Sequence, residues 1–228
     1  MFGRFSAIIN SIVPLFKGFI ILLFIFSFIK LSAQKINLEK LWIGINQGHA
    51  TQNLVPIYNK NYIYKSDYYK LQLVYNFKEK KKQNFLLNVE PSIYFSQYQL
   101  LNPGFIGPRR GDDYLEQRIK FSQYRRFNEY ALNFGFVYEY KLLNKISLYA
   151  LASVGPMFGE KDTERLKKGF AFSDIFGLGT YLSINRFRLD LRTIIRHNSN
   201  AGLRLPNNGH NSVGFEAGLS YQLQYRKD

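Results

Sequence analysis

The stretch Phe187-Arg-Leu-Asp-Leu-Arg-Thr-Ile-Ile-Arg-His-Asn-Ser199 decides the fold. Read with a period of two, Phe187, Leu189, Leu191, Thr193 and Ile195 fall on one side, and Arg188, Asp190, Arg192 and Arg196 on the other, with Ile194 the one exception. That pattern is a β-strand with one apolar and one charged face. His197 and Ser199 continue the apolar face, because a pleated strand returns to the same side at every second residue. After a polar loop, Asn200 to His210, a second strand sets Val213, Phe215, Ala217, Leu219, Tyr221, Leu223 and Tyr225 against Gly214, Glu216, Gly218, Ser220 and Gln222. Asn211 falls in its apolar register. Paired as a hairpin, the two strands bring His197, Ser199 and Asn211 together on one face: a base, a nucleophile and a group to orient the base.

Upstream, six more segments carry aromatic or aliphatic alternation: Leu38 to Gln47, Asp67 to Phe77, Phe85 to Gln97, Asn128 to Lys141, Lys145 to Phe158 and Gly169 to Leu182. The fourth is the cleanest, with Tyr130, Leu132, Phe134, Phe136, Tyr138 and Tyr140 facing one way. In the sixth, Asp174 falls in the register of Phe170, Phe172 and Phe176, so either a bulge shifts that strand or the acid lies near a rim. The connections alternate in length. Lys78 to Asn84, Leu142 to Asn144 and Ser183 to Arg186 are short, whereas Gly48 to Ser66, Tyr98 to Phe127, Gly159 to Lys168 and Asn200 to His210 are long. Short turns at one end and long loops at the other predict an all-β fold, an eight-stranded antiparallel up-and-down transmembrane β-barrel. A closed sheet leaves no backbone group unpaired in lipid.

In that geometry the apolar faces meet lipid and the polar faces fill the interior, where Glu90, Glu139, Asp190 and Glu216 can pair with Arg188, Arg192 and Arg196. Eight strands enclose only enough room for side chains, which argues against a diffusion pore. His197, Ser199 and Asn211 then lie outside the barrel at its long-loop end.

The chain has 228 residues, 46% of them hydrophobic and 17% aromatic, with no cysteine. Zero cysteine excludes disulfides, a thiol nucleophile and thiolate-bound metals. His49, His197 and His210 have no ligand spacing, so no metal is expected, and the many Tyr and Phe read as barrel exterior and interfacial girdle, so no cofactor is expected either. Residues 1–33 read as a cleavable signal peptide: Arg4 and Lys17, an apolar run from Gly18 to Ile29, then Leu31-Ser-Ala33 before Gln34. Residues 34–228 are the barrel. The formal charge of +15 suggests a polyanionic partner, and export argues against nucleic acid. Phosphorylated lipid headgroups are the polyanion that an exported membrane protein meets.

The run His197-x-Ser199-Asn200-Ala201-Gly202, followed by Pro206-Asn207-x-Gly209, resembles the signature of the outer-membrane lipid A 3-O-deacylases (PagL-like), a family that also goes under acyloxyacyl hydrolase. Glu160 to Asp174 is similar to the matching stretch of those proteins. The resemblance implies a serine esterase of the Gram-negative outer membrane, facing the cell-surface leaflet, that removes an ester-linked acyl chain from lipid A of lipopolysaccharide. It makes His197 the base and Ser199 the nucleophile. The family's third member is a Glu fourteen residues after the His, where this chain has Asn211. An amide can hold a histidine tautomer but offers no charge to an imidazolium. Asn200, Gly202 and Asn207 are the candidates for holding the oxyanion. The alternative is a non-catalytic eight-stranded outer-membrane protein that acts through its loops. The sequence specifies no oligomeric state.

Overall fold

The computed structural model describes residues 37–223, so the expected signal peptide and Tyr225 lie outside the described residues. Among them are eight strands: β1 (Leu41–Thr51), β2 (Tyr62–Lys80), β3 (Gln83–Leu100), β4 (Arg125–Lys141), β5 (Ile146–Gly159), β6 (Gly169–Ile184), β7 (Phe187–Ser199) and β8 (His210–Gln222). Each pairs antiparallel with its neighbours in sequence, and β1 closes the ring on β8 through Trp42↔Gln222 to Thr51↔Val213. The chain is therefore the eight-stranded antiparallel up-and-down barrel that the alternation predicts. No helix among the described residues is long and apolar enough to cross a membrane; the spanning elements are strands.

The two sides of the wall are inverted relative to a water-soluble protein. Leu191 is 53% exposed while Arg192 beside it is 4% exposed, and the same contrast separates Phe215 at 60% from Glu216 at 4%. An apolar exterior around a charged interior is the low-energy arrangement when the surroundings are hydrocarbon and the lumen is lined by its own partners. The expected ion pairs fill that lumen. Arg192 donates to Glu90 at 2.7 Å and also to Glu216, and Lys70 meets Glu216 at 2.7 Å and Glu90 at 3.5 Å. Arg188 reaches Glu139 at 3.8 Å, and Arg196 donates to Glu129 at 2.9 Å. Buried charges of this kind persist only when paired and hydrogen-bonded.

Three expectations need correction. The first strand starts later than Leu38, because Leu38–Lys40 form a 3-10 turn, and it runs on through Gly48, His49 and Ala50. Those residues pair on both flanks, His49 with Asp67 and Phe215, so the ladder holds them although their apolar alternation has ended. For the same reason β2 and β3 outrun their apolar segments and stay paired out to Tyr62↔Leu100. The long connection after β3 is not all loop: it contains a helix, α1 (Tyr114–Ser122), whose Phe121 is buried with Tyr62, Tyr64, Tyr98, Ile106 and Phe127 at that end of the barrel. Of the two readings of Asp174, the bulge falls and the acid near a rim is left. The β6 register is unbroken against both β5 and β7, and Asp174 is directly opposite His197.

Candidate active site

Parity along β7 places the two motif residues. Arg196 and Asn198 are buried in the lumen, while His197 and Ser199 take the alternate, outward positions and are half-buried. Across the ladder, His197 is the register partner of Asn211 on β8, and Ser199 is the partner of Phe172 on β6. The sequence-predicted trio is thus gathered on the exterior of two adjoining strands, at the end of the barrel that carries the long loops.

His197 Nδ1 and Asn211 Oδ1 are 2.6 Å apart. An amide oxygen can only accept, so the contact puts the proton on Nδ1 and leaves Nε2 as a lone-pair base. The second support of the ring is Gly209. It has a φ of +65°, and a Cβ placed there would lie 3.0 Å from His197 Cε1 and 2.6 Å from the Asn198 carbonyl oxygen. Glycine is needed for two reasons, the left-handed backbone and the absence of space beside the imidazole. Arg165 clamps that corner by donating from Nε to the Gly209 carbonyl at 2.7 Å.

The loop after Ser199 is built from its own amides. Asn200 is fully buried. Its N–H donates to Asn207 Oδ1 at 2.7 Å, its Nδ2 to the Arg204 carbonyl at 2.7 Å, and its Oδ1 accepts from the Gly202 N–H at 3.1 Å. Asn200 therefore acts as the frame of the loop. Asn207 offers its oxygen to that frame, which turns its amide nitrogen to other uses. Gly202, at φ +78°, and Ala201, at φ +53°, make the tight left-handed turn over which the chain doubles back. Arg204 caps the neighbouring strand by donating to the Phe170 carbonyl at 3.0 Å.

The other two histidines have separate duties. His210 is buried, stacks on Tyr64 at 4.3 Å between ring centroids and shares a 2.8 Å hydrogen bond with Thr163. His49 forms an exposed pair with Asp67 at 2.7 Å on the outer face of β1 and β2. Above the barrel, α1 is tied to the β5–β6 loop: Lys120 lies 3.7 Å from Asp162, and Lys167 lies 3.6 Å from it. Partial burial works against ionisation of Asp162, but the Lys168 N–H and the nearby ammonium groups outweigh it and hold its carboxyl below the ordinary value. Glu164 in the same loop is pushed up by burial. Arg109, Arg110, Lys120 and Lys167, with Asn207 and Asn208, line a cleft of about 470 Å³ beside this loop, a basic surface that periodicity alone could not have assembled.

A transmembrane β-barrel with a histidine, its amide partner and a serine on its otherwise apolar outer wall is the class that fold and site define together. The chain belongs to the lipid A 3-O-deacylase (PagL) family, whose model matches residues 58–220. No curated protein matches it. Among solved structures, the outer membrane enzyme PagL is similar at 17% identity, over 78% of this chain and 97% of that one, with a TM-score of 0.47. Neisserial surface protein A is similar at 11% identity, over 80% of this chain and 97% of that one, with a TM-score of 0.46.

Proposed function

We propose that the protein is a serine esterase of the Gram-negative outer membrane that removes an ester-linked acyl chain from lipid A in the cell-surface leaflet. The observation that carries this reading is the 2.6 Å contact between His197 Nδ1 and Asn211 Oδ1, with Ser199 on the same outward face. Family membership supplies the substrate class.

The reaction follows from the protonation state. His197 Nε2 takes the Ser199 hydroxyl proton as Oγ bonds to the ester carbonyl carbon. The resulting oxyanion is held by the loop after Ser199, with the Asn207 amide nitrogen as donor and with Asn200 and Gly202 keeping that loop in shape. The ester C–O bond then breaks, and the departing sugar oxygen takes the proton from Nε2, leaving an acyl-Ser199. Water attacks this second ester and gives its proton to Nε2. The Oγ–acyl bond breaks, Oγ recovers a proton, and the fatty acid leaves. Acyl chains suit this part of the outer wall, where Val154, Phe170, Phe172 and Ile195 are apolar and Asp174 is the exception. The basic loops, including Arg109, Arg110 and Arg204, suit the anionic headgroup of the same lipid.

The test is mass spectrometry of lipid A from cells making the wild-type protein or Ser199→Ala. One fewer acyl chain with the wild type and an unaltered profile with the variant, both inserted as heat-modifiable barrels, is the expected result. An unaltered profile with the wild-type protein would leave a non-catalytic barrel.

A further inference from the structure

We propose that Asp174 is a positioning residue for His197, supplying from β6 the negative charge that Asn211 cannot supply from β8. This inference rests on the esterase reading above.

Asp174 stands out first as an anomaly of sequence. It occupies an outward position between Phe172 and Phe176, where the outward neighbours along β6 are apolar. A carboxylate on the lipid side of a barrel wall costs free energy, by an amount that depends on depth. The unbroken β6 register removes a bulge as the explanation. Among the described residues, Asp174 makes no side-chain hydrogen bond or ion pair that would account for it.

Its position does account for it. Asp174, His197 and Asn211 are consecutive partners across β6, β7 and β8, so the imidazole has the carboxylate on one flank and the amide on the other. Directly opposed residues on one face of an antiparallel pair have Cβ atoms about 5 Å apart. From there a carboxylate side chain can reach the flank of the imidazole. An imidazolium forms when the ester is attacked or released, so Asp174 acts when His197 carries the serine proton. The two functions that one carboxylate combines in a Ser-His-acid triad are divided here: Asn211 fixes the tautomer and Asp174 balances the charge.

The other groups around the ring do not substitute for it. On β8 the outward neighbours of Asn211 are Val213 and Phe215, and on β7 the flanking outward residues are Ile195 and Ser199. Glu216 and Arg196 point into the lumen, with His210 buried beneath. The loop groups nearest this corner are cations: Arg165 on the Gly209 carbonyl and Arg204 on the Phe170 carbonyl. Among the described residues, Asp174 is the acid directly opposite the imidazole on the outer wall.

The experiment compares wild type, Asp174→Asn, Asn211→Glu and the double variant Asp174→Asn/Asn211→Glu, purified as folded barrels and assayed for deacylation of lipid A in mixed micelles across pH. Asp174→Asn is expected to lower kcat about tenfold and to move the acid limb of kcat/KM down by about one pH unit, because an imidazole without its anion loses its proton more readily. Adding Asn211→Glu restores both, since it returns a carboxylate to the other flank of the same ring. A wild-type kcat and an unmoved acid limb in Asp174→Asn overturn the assignment, as does a loss in a heat-modifiable Asp174→Asn barrel that Asn211→Glu does not repair. Absence of Ser199-dependent deacylation in the wild type would overturn the esterase reading itself, and that result is read before any Asp174 variant is measured.

Discussion

His197 and Asn211 face each other across the β7–β8 ladder with Nδ1 and Oδ1 2.6 Å apart, and this contact determines which ring nitrogen is free. The partner is an amide with no charge, yet the geometry still selects one tautomer. Asn211→Ala removes the acceptor without disturbing the ladder. Its expected effect is a drop in kcat of about 10- to 100-fold with KM little changed, because orientation of a general base contributes on that scale. A steady-state comparison on defined lipid A checks it. Equal kcat values would mean that the contact does not orient the base.

Gly209 bears on the same imidazole from the loop side. Gly209→Ala would introduce a methyl 3.0 Å from His197 Cε1 at a backbone φ of +65°. The ring has to move to admit it, and the left-handed backbone adds a strain of about 1 kcal/mol. Activity is expected to fall by more than tenfold, and the 2.6 Å approach of the methyl to the Asn198 carbonyl adds a stability loss of about 1–3 kcal/mol that stays too small to unfold the barrel. Urea titration in detergent alongside the deacylation assay separates the two effects. A large loss of stability with normal activity would contradict the assignment of Gly209 to the site.

In the lumen, Arg192 is shared between Glu90 and Glu216, and Lys70 touches the same two acids. Arg192→Met leaves Glu90, Glu216 and the nearby Asp190 with the one ammonium of Lys70 in a water-poor interior. The expected cost is about 3–5 kcal/mol, the usual penalty for breaking a buried pair from one side. Arg192→Met/Glu216→Gln removes the orphaned charge as well and is expected to recover part of it. Equilibrium unfolding of the two variants in lipid vesicles measures the difference, and a double variant less stable than the single would show that the network is not organised around Arg192.

The barrel was legible because a two-residue period separates the two faces of each strand, and β7 states it plainly from Phe187 to Ile195. Where that period is diluted, strand ends were misplaced. Lys65, Ser66 and Ser96 continue β2 and β3 by ladder pairing, with little apolar contrast to mark them. Helix α1 was missed because it packs through Phe121 while Leu115 and Ile119 stay exposed, a stripe too thin to announce a helix.

By itself, the order of residues determined the closed eight-stranded wall, its charged filling and the outward parity of His197, Ser199 and Asn211, because all three depend on local alternation. Only the tertiary structure decided what stands beside them. Register between strands brings Asp174 of β6 and Asn211 of β8 to either flank of His197, and the folding of the loop turns Asn200 into a frame and sets Gly209 against the ring. Register is fixed by hydrogen bonding and packing summed over whole ladders, so no single stretch of chain contains it.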